Sequence, residues 1–158
     1  MKKIITLIAL TIVFIGCKPK ETVTNNKLDN KSEAAIKGNW TISSVTYTGS
    51  EYIKITSFEI ADSKCFVGSN WKFVSNNNKG NMELNSTSCT VFSSPITWFI
   101  NKDGNFVMKI LNSTKAKKVL DGYILTVKNQ SENSFQLIDK ANVGGKIIDV
   151  VYQFQKSN

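Results

Sequence analysis

Three cysteines, Cys17, Cys65 and Cys89, stand in a chain that has no histidine and no arginine. Those two absences exclude much chemistry. No Ser–His or Cys–His pair can activate a nucleophile, no imidazole can hold a metal, and no guanidinium can clamp a carboxylate or phosphate through two parallel bonds. Two cysteines without histidine fall short of the four ligands of a structural zinc, so neither metal nor cofactor is expected. The carboxylates do not gather either. Glu59, Asp62, Asp103 and Asp121 fall at turns or element ends, where such residues cap or start turns. Asp149 alternates with Ile148, Val150 and Tyr152, which puts it on the outer face of a strand. No spaced carboxylate pair offers acid–base catalysis. The chain reads as a binding or structural protein and not as an enzyme.

Its 158 residues suit one domain, and 41% hydrophobic content is too much for a disordered chain. All 20 basic residues are lysine, and the net charge is +8. They are scattered at turns and on polar faces; Lys115, Lys117 and Lys118 form the densest patch. Nucleic-acid binders interleave basic and aromatic residues on one face, often with Arg, so no nucleic-acid partner is expected. A solvated surface is the default reading of the lysines, with anionic headgroups or acidic glycans as the more plausible partners if they have one.

Residues 1–16 read as an export signal. Lys2 and Lys3 precede an apolar run from Ile4 to Gly16, too short for the ~20 residues that cross a bilayer. The run ends in Phe14-Ile15-Gly16-Cys17, which resembles the bacterial lipobox, although Phe14 and Ile15 depart from its commoner residues. That resemblance implies acylation of Cys17 (palmitate among the chains) and permanent anchoring to a lipid membrane. Lys18 follows the cysteine in place of the Asp that favours inner-membrane retention, so the expected location is the bacterial cell envelope, at the outer membrane. An exported chain with two further cysteines favours a Cys65–Cys89 disulfide, with free buried thiols as the alternative. Residues 17–37 read as the lipidated Cys and a polar tether, because Lys18 to Lys37 shows no sustained apolar period. As a coil that stretch would span about 25 Å. A short helix fits around Ser32–Ile36, with Ser32 as its N-cap.

From residue 38 to 158 the chain breaks into short β-branched and aromatic segments separated by Asn, Asp, Gly and Ser clusters. They are Asn39–Thr48, Tyr52–Phe58, Trp71–Ser75, Asn81–Asn85, Ile96–Asn101, Asn105–Asn112, Tyr123–Lys128, Ser134–Asp139 and Lys146–Gln155. Ile60–Phe66 fits one short helix with Asp62 near its start. Turn chemistry sets the pairing. A three-residue loop with Gly104 left-handed puts Ile100 beside Phe106, Trp98 beside Met108 and Ile96 beside Ile110. A two-residue loop at Asn77-Asn78 puts Phe73 beside Met82 and Trp71 beside Leu84. A loop over Gln130 to Glu132 puts Val127 beside Phe135 and Leu125 beside Leu137. Each hairpin collects its apolar residues on one face. Consecutive short hairpins favour an all-β, antiparallel up-and-down barrel of eight strands from these nine segments, with at most one short helix; a sandwich would use the same hairpins.

Gly38-Asn39-Trp40 opens the first strand like the Gly-x-Trp signature of lipocalins. The order of Gly68-Ser69 before Trp71, Lys115-Ala116-Lys117 before Gly122-Tyr123, and the terminal Tyr152-x-Phe154 resembles the lipocalin-like domain lipoproteins of Bacteroidota, a calycin-type barrel. The resemblance implies that Gly38 and Trp40 are structural, with Trp40 plugging the barrel base. It also implies a late Arg or Lys across that Trp; without Arg, only Lys can serve. Phe73, Met82, Leu84, Trp98, Ile100, Phe106, Met108, Tyr123 and Leu125 are the candidate ligand-binding interior, joined by Trp71. Eight-stranded barrels either fill their interior or hold one small ligand. The expected function is a monomeric, membrane-anchored lipoprotein that binds or carries a small hydrophobic or amphipathic ligand. The alternative is a filled-core module that contacts protein or the cell surface.

Overall fold

The computed structural model describes residues 25–49, 53–86, 88–112 and 122–157. The export signal, Cys17, the first part of the expected tether and the Lys115–Lys118 patch lie outside the described residues. Eight strands close into one antiparallel barrel: β1 (Gly38–Tyr47), β4 (Asn70–Val74), β5 (Lys79–Leu84), β6 (Phe92–Ile100), β7 (Asn105–Ile110), β8 (Tyr123–Lys128), β9 (Ser134–Val143) and β10 (Lys146–Lys156). Neighbours in sequence are neighbours in space, and β1 closes the ring between β10 and β4. Period-two alternation selects the inner face. β5 buries Gly80, Met82 and Leu84 between exposed Lys79, Asn81 and Glu83, and β6 does the same with Ile96, Trp98 and Ile100. The segment read as one strand over Tyr52–Phe58 is instead the approach to a separate two-stranded hairpin, β2 (Thr56–Ser57) and β3 (Ala61–Asp62). A short 3-10 helix follows at Ser63–Phe66, capped by the Asp62 carboxylate, which accepts from Lys64 N.

One expected register holds and two shift. Ile100 pairs with Phe106, Trp98 with Met108 and Ile96 with Ile110. The turn is built by Asn101, whose side chain accepts from both Asp103 N and Asn105 N. Between β4 and β5, however, Trp71 pairs with Met82 and Phe73 with Gly80. The loop there is a 3-10 turn over Ser75–Asn77 that ends with Asn78 left-handed, longer than the two residues expected. Between β8 and β9, Val127 pairs with Leu137 rather than Phe135. Asn129 takes a positive φ, and Ser131 and Ser134 hydrogen-bond to each other across the loop. Both slips are by two residues, so every side chain keeps its face. Gly80 beside Phe73 is obligatory: a Cβ there would meet Lys72 O at 2.2 Å.

β1 contains a bulge between Ile42 and Ser44. Before it Trp40 and Ile42 point inward; after it Val45 and Tyr47 do, the opposite parity. The bulge lets the first half of β1 pair with β4 while its whole length follows β10.

The helix α1 (Asn25–Ile36) closes one end. The residues read as coil are thus helical from Asn25, and Ser32 lies inside the helix rather than at its N-cap. The sequence has little amphipathic period to announce it; docking stabilises it. Ile36 is fully buried, Glu33 Oε1 accepts from Ile100 N, and Gln130 Nε2 donates to Ser32 O. At the opposite end, Cys65 and Cys89 form a disulfide with Cα atoms 5.8 Å apart, tying the 3-10 helix to the β5–β6 connection.

Candidate functional site

The inward faces of eight strands bring the expected interior together. Phe73, Met82, Leu84, Trp98, Ile100, Phe106, Met108 and Leu125 are all buried in one cluster, and Tyr123 is half-buried at its edge. What they form over the lower barrel is a packed core of rings. Phe135 stacks on Phe154 at 4.6 Å and meets the edge of Trp40 at 4.7 Å. Trp98 and Phe106 stack on each other at 5.6 Å, and Phe73 meets both edge-on at 5.3 and 5.5 Å. These are the separations at which aromatic pairs attract, and rings at contact distance fill the space between them. Polar edges are satisfied: Trp98 Nε1 donates to Lys79 O at 3.0 Å. Trp40 lies at the closed end, fully buried, with Nε1 donating to Ile36 O at 2.7 Å. The basic partner across it is Lys156, whose Nζ lies 5.9 Å from the ring centre.

The upper end is built differently. The β2–β3 hairpin folds into the barrel mouth and buries the Phe58 ring. Tyr152 stacks beneath it at 5.4 Å, and the edges of Tyr123 (5.2 Å), Phe66 (5.3 Å) and Trp71 (6.4 Å) surround it. Two phenols latch the hairpin from below: Tyr123 OH donates to Phe58 O at 2.9 Å, and Tyr152 OH donates to Ser57 Oγ. Burial, then the nearby carboxylates Glu59 and Asp139, push the Tyr123 hydroxyl above its ordinary pKa. Burial raises Tyr152 further, although its bond to Ser57 opposes this. Both phenols therefore stay protonated donors at neutral pH. The turn that carries the ring has Ile60 N donating to Ser57 O, and its two central residues, Phe58 and Glu59, have φ of 52° and 56°. Neither is Gly or Asn, the residues that adopt this conformation at little cost. Phe58, Phe66, Ile55 and Tyr152 were absent from the expected ligand interior. Tyr152 is legible in the alternation of β10, but the Ser57-Phe58-Glu59-Ile60 turn has no Gly, Asn or Asp at its two left-handed positions to announce it.

Around this hairpin lies a hollow of about 590 Å³. Ile55, Phe58, Tyr123, Ala141 and Val143 give it an apolar floor and wall; Lys54, Glu59, Asp139 and Lys140 are its charged rim. Burial raises the Asp139 pKa, partly countered by a hydrogen bond from Lys140 N. The Lys140 ammonium is 2.9 Å from Asp149 on the outside, an exposed pair rather than a buried acid–base couple. Another hollow, about 560 Å³, lies between α1 and the β8–β9 loop, but no aromatic ring lines it. Among the described residues no cluster of three or more Cys, Asp or Glu is placed to hold a metal ion.

The sequence model of one family, described as a lipocalin-like domain, matches residues 36–137, more than half of the chain. Similar solved structures include bovine odorant-binding protein in complex with a selenium-containing odorant. It is 11% identical, with a TM-score of 0.45, over 80% of this chain and 73% of that one. Lobster apocrustacyanin A1 is 14% identical, with a TM-score of 0.45, over 86% and 70%. No curated protein sequence matches the chain.

Proposed function

The chain belongs to the lipocalin-like domain family, and from that premise we propose that it is a monomeric bacterial envelope lipoprotein that binds a small hydrophobic or amphipathic molecule at the barrel mouth. The observation that carries this reading is the mouth hollow, where an apolar floor that includes Phe58 and Tyr123 lies inside a rim of Lys54, Glu59, Asp139 and Lys140. Its volume is that of a small-molecule site, and a lining more polar than apolar suits an amphipathic ligand better than a purely hydrophobic one. The deep interior is occupied by protein, so the nine residues expected to touch ligand divide: Tyr123 does, and the others support the floor. The anchoring part of the proposal rests on the export run that ends at Cys17, whose acylation would hold the protein permanently at the membrane. No catalytic step is proposed.

The stacked rings of the lower barrel favour a second reading, a filled module that works through its outer surface. Mass spectrometry of organic extracts from protein purified from its own membranes separates the two. A lipophilic species enriched over a mock purification, at up to one per chain, supports binding. A bare extract, together with no saturable uptake of an apolar probe, overturns it and leaves the module.

A further inference from the structure

The mouth hollow is floored in part by a hairpin that stands apart from the barrel sheet. The β2–β3 hairpin forms a sheet of its own with two residue pairs, outside the barrel ladder. It is held by the Phe58 ring in its four-ring cage, by the buried Ile55 and Ser57, by two phenol hydrogen bonds from β8 and β10, and by Tyr47 OH donating to Ile53 O and Ser63 N to Ile55 O. A left-handed Phe-Glu turn persists only when its surroundings over-determine it. Here those surroundings are Tyr123, Tyr152, Phe66 and Trp71, the groups that line the space the ring fills. A plain cap needs no such strain, because Gly or Asn at either position would make the same turn without it.

Resting on the binding reading above, we propose that Phe58 is an internal stand-in for the ligand. The cage takes an aromatic ring that carries a carbonyl acceptor two carbons away, and the hairpin withdraws when such a ligand enters. The spacing is that of Phe58 itself: its ring is joined through Cβ and Cα to the carbonyl whose oxygen accepts from Tyr123 OH at 2.9 Å. With the hairpin withdrawn, Tyr123 becomes a protonated donor at the edge of an aromatic slot. Tyr152 supplies the flat face, as it does for Phe58 at 5.4 Å and 29° between planes. A void the size of one such side chain, lined by apolar groups, is large enough to hold a benzene-sized ring. Strain released from the turn offsets part of the cost of opening; the ligand replaces the ring packing and the bond from Tyr123, while Tyr152 OH gives up Ser57 Oγ and turns to water.

The test uses the full chain in lipid nanodiscs, with empty discs subtracted, and two probes: 4-phenylbutan-2-one and butylbenzene, which lacks the acceptor. Wild type should bind the ketone saturably, one per chain, about three- to tenfold more tightly than the hydrocarbon, the range of one neutral hydrogen bond. Tyr123→Phe should abolish that ratio whatever it does to absolute affinity. Phe58→Ala should tighten both probes at least about tenfold by emptying the cage. Glu59→Gly, which relaxes the closed turn and keeps the ring, should weaken both. On adding the ketone to wild type, the Ile60 and Ser63 amides, bonded to Ser57 O and Ile55 O in the closed form, should exchange hydrogen faster. If Phe58→Ala does not fold, Glu59→Gly and the exchange measurement decide. Ketone binding with unchanged exchange at Ile60 and Ser63, or with no loss of preference in Tyr123→Phe, overturns the proposal. A ligand in the native extract without ketone binding leaves the mouth reading intact and defeats this one; no extracted ligand and no probe binding defeat both.

Discussion

Replacing Trp98 with Ala measures how full the lower barrel is. The indole is fully buried, stacks on Phe106 at 5.6 Å, meets Phe73 at 5.3 Å, and donates to Lys79 O. Truncating a Trp in such a setting costs about 3–5 kcal/mol, because neighbours anchored on separate strands cannot collapse into the void. The Lys79 carbonyl also loses its donor, so the upper half of that range is expected. Trp98→Phe keeps a ring in the stack and gives up mainly the hydrogen bond, which puts its cost at about 1–2 kcal/mol. With a urea slope of about 1.5 kcal/mol per molar, the Ala variant should unfold at a midpoint about 3 M lower, with the slope unchanged. The Phe variant should shift by about 1 M. Equilibrium urea unfolding followed by Trp fluorescence and far-UV circular dichroism reads both. A shift below about 0.7 M for Trp98→Ala would mean that a large ring can leave at little cost, and the argument for a filled lower barrel would fail.

Three further outcomes are expected. Peptide mapping without reductant should recover Cys65 linked to Cys89, and reducing the bond that closes this 24-residue separation should cost about 3 kcal/mol. Cys17→Ala should move the protein from the membrane to the soluble fraction; unchanged membrane association would reject acylation as the anchor. Asp139 has its folded pKa raised, chiefly by burial, so its charged form opposes folding above that pKa, and the opposition fades as pH falls toward the ordinary value of 3.8. Asp139→Asn should therefore raise the denaturation midpoint at pH 7 and lose that advantage below about pH 4, whereas a variant less stable at pH 7 would contradict the sign.

Much of the barrel is written locally. The Asn101-Lys102-Asp103-Gly104 loop specifies one register, and the Trp98–Met108 pair follows from it. The loops at Asn78 and Asn129 are less explicit, because Asn goes left-handed at many loop lengths. Counting residues missed both by two, yet the inner faces survived because an even slip preserves parity. Two elements were legible only in part, for different reasons: the helix was expected over Ser32–Ile36 and begins at Asn25, and the Phe58 hairpin was read as one strand. Residues 25–36 carry few apolar groups, and their helix depends on partners such as Ile100 N and Gln130, which lie far away along the chain. The Phe58 hairpin depends on a cage assembled from four separate segments, and its own residues argue against the turn they make. The mouth could not be read for that reason: its floor is a tertiary accident of Phe66, Trp71, Tyr123 and Tyr152 meeting one ring.

The docking of α1 at the closed end also bears on orientation. With Cys17 as anchor, seven residues separate the acylated position from Asn25, a leash of at most about 25 Å. Such a leash would join α1 at Asn25, and α1 docks at the closed end through Glu33 and Ile36, so the barrel base would lie nearer the bilayer than the Phe58 hairpin. Cargo would then arrive from solution or from a facing surface rather than by lateral exit from the lipid beneath. Lengthening the leash, with every pocket residue untouched, should let the same barrel sample its own membrane.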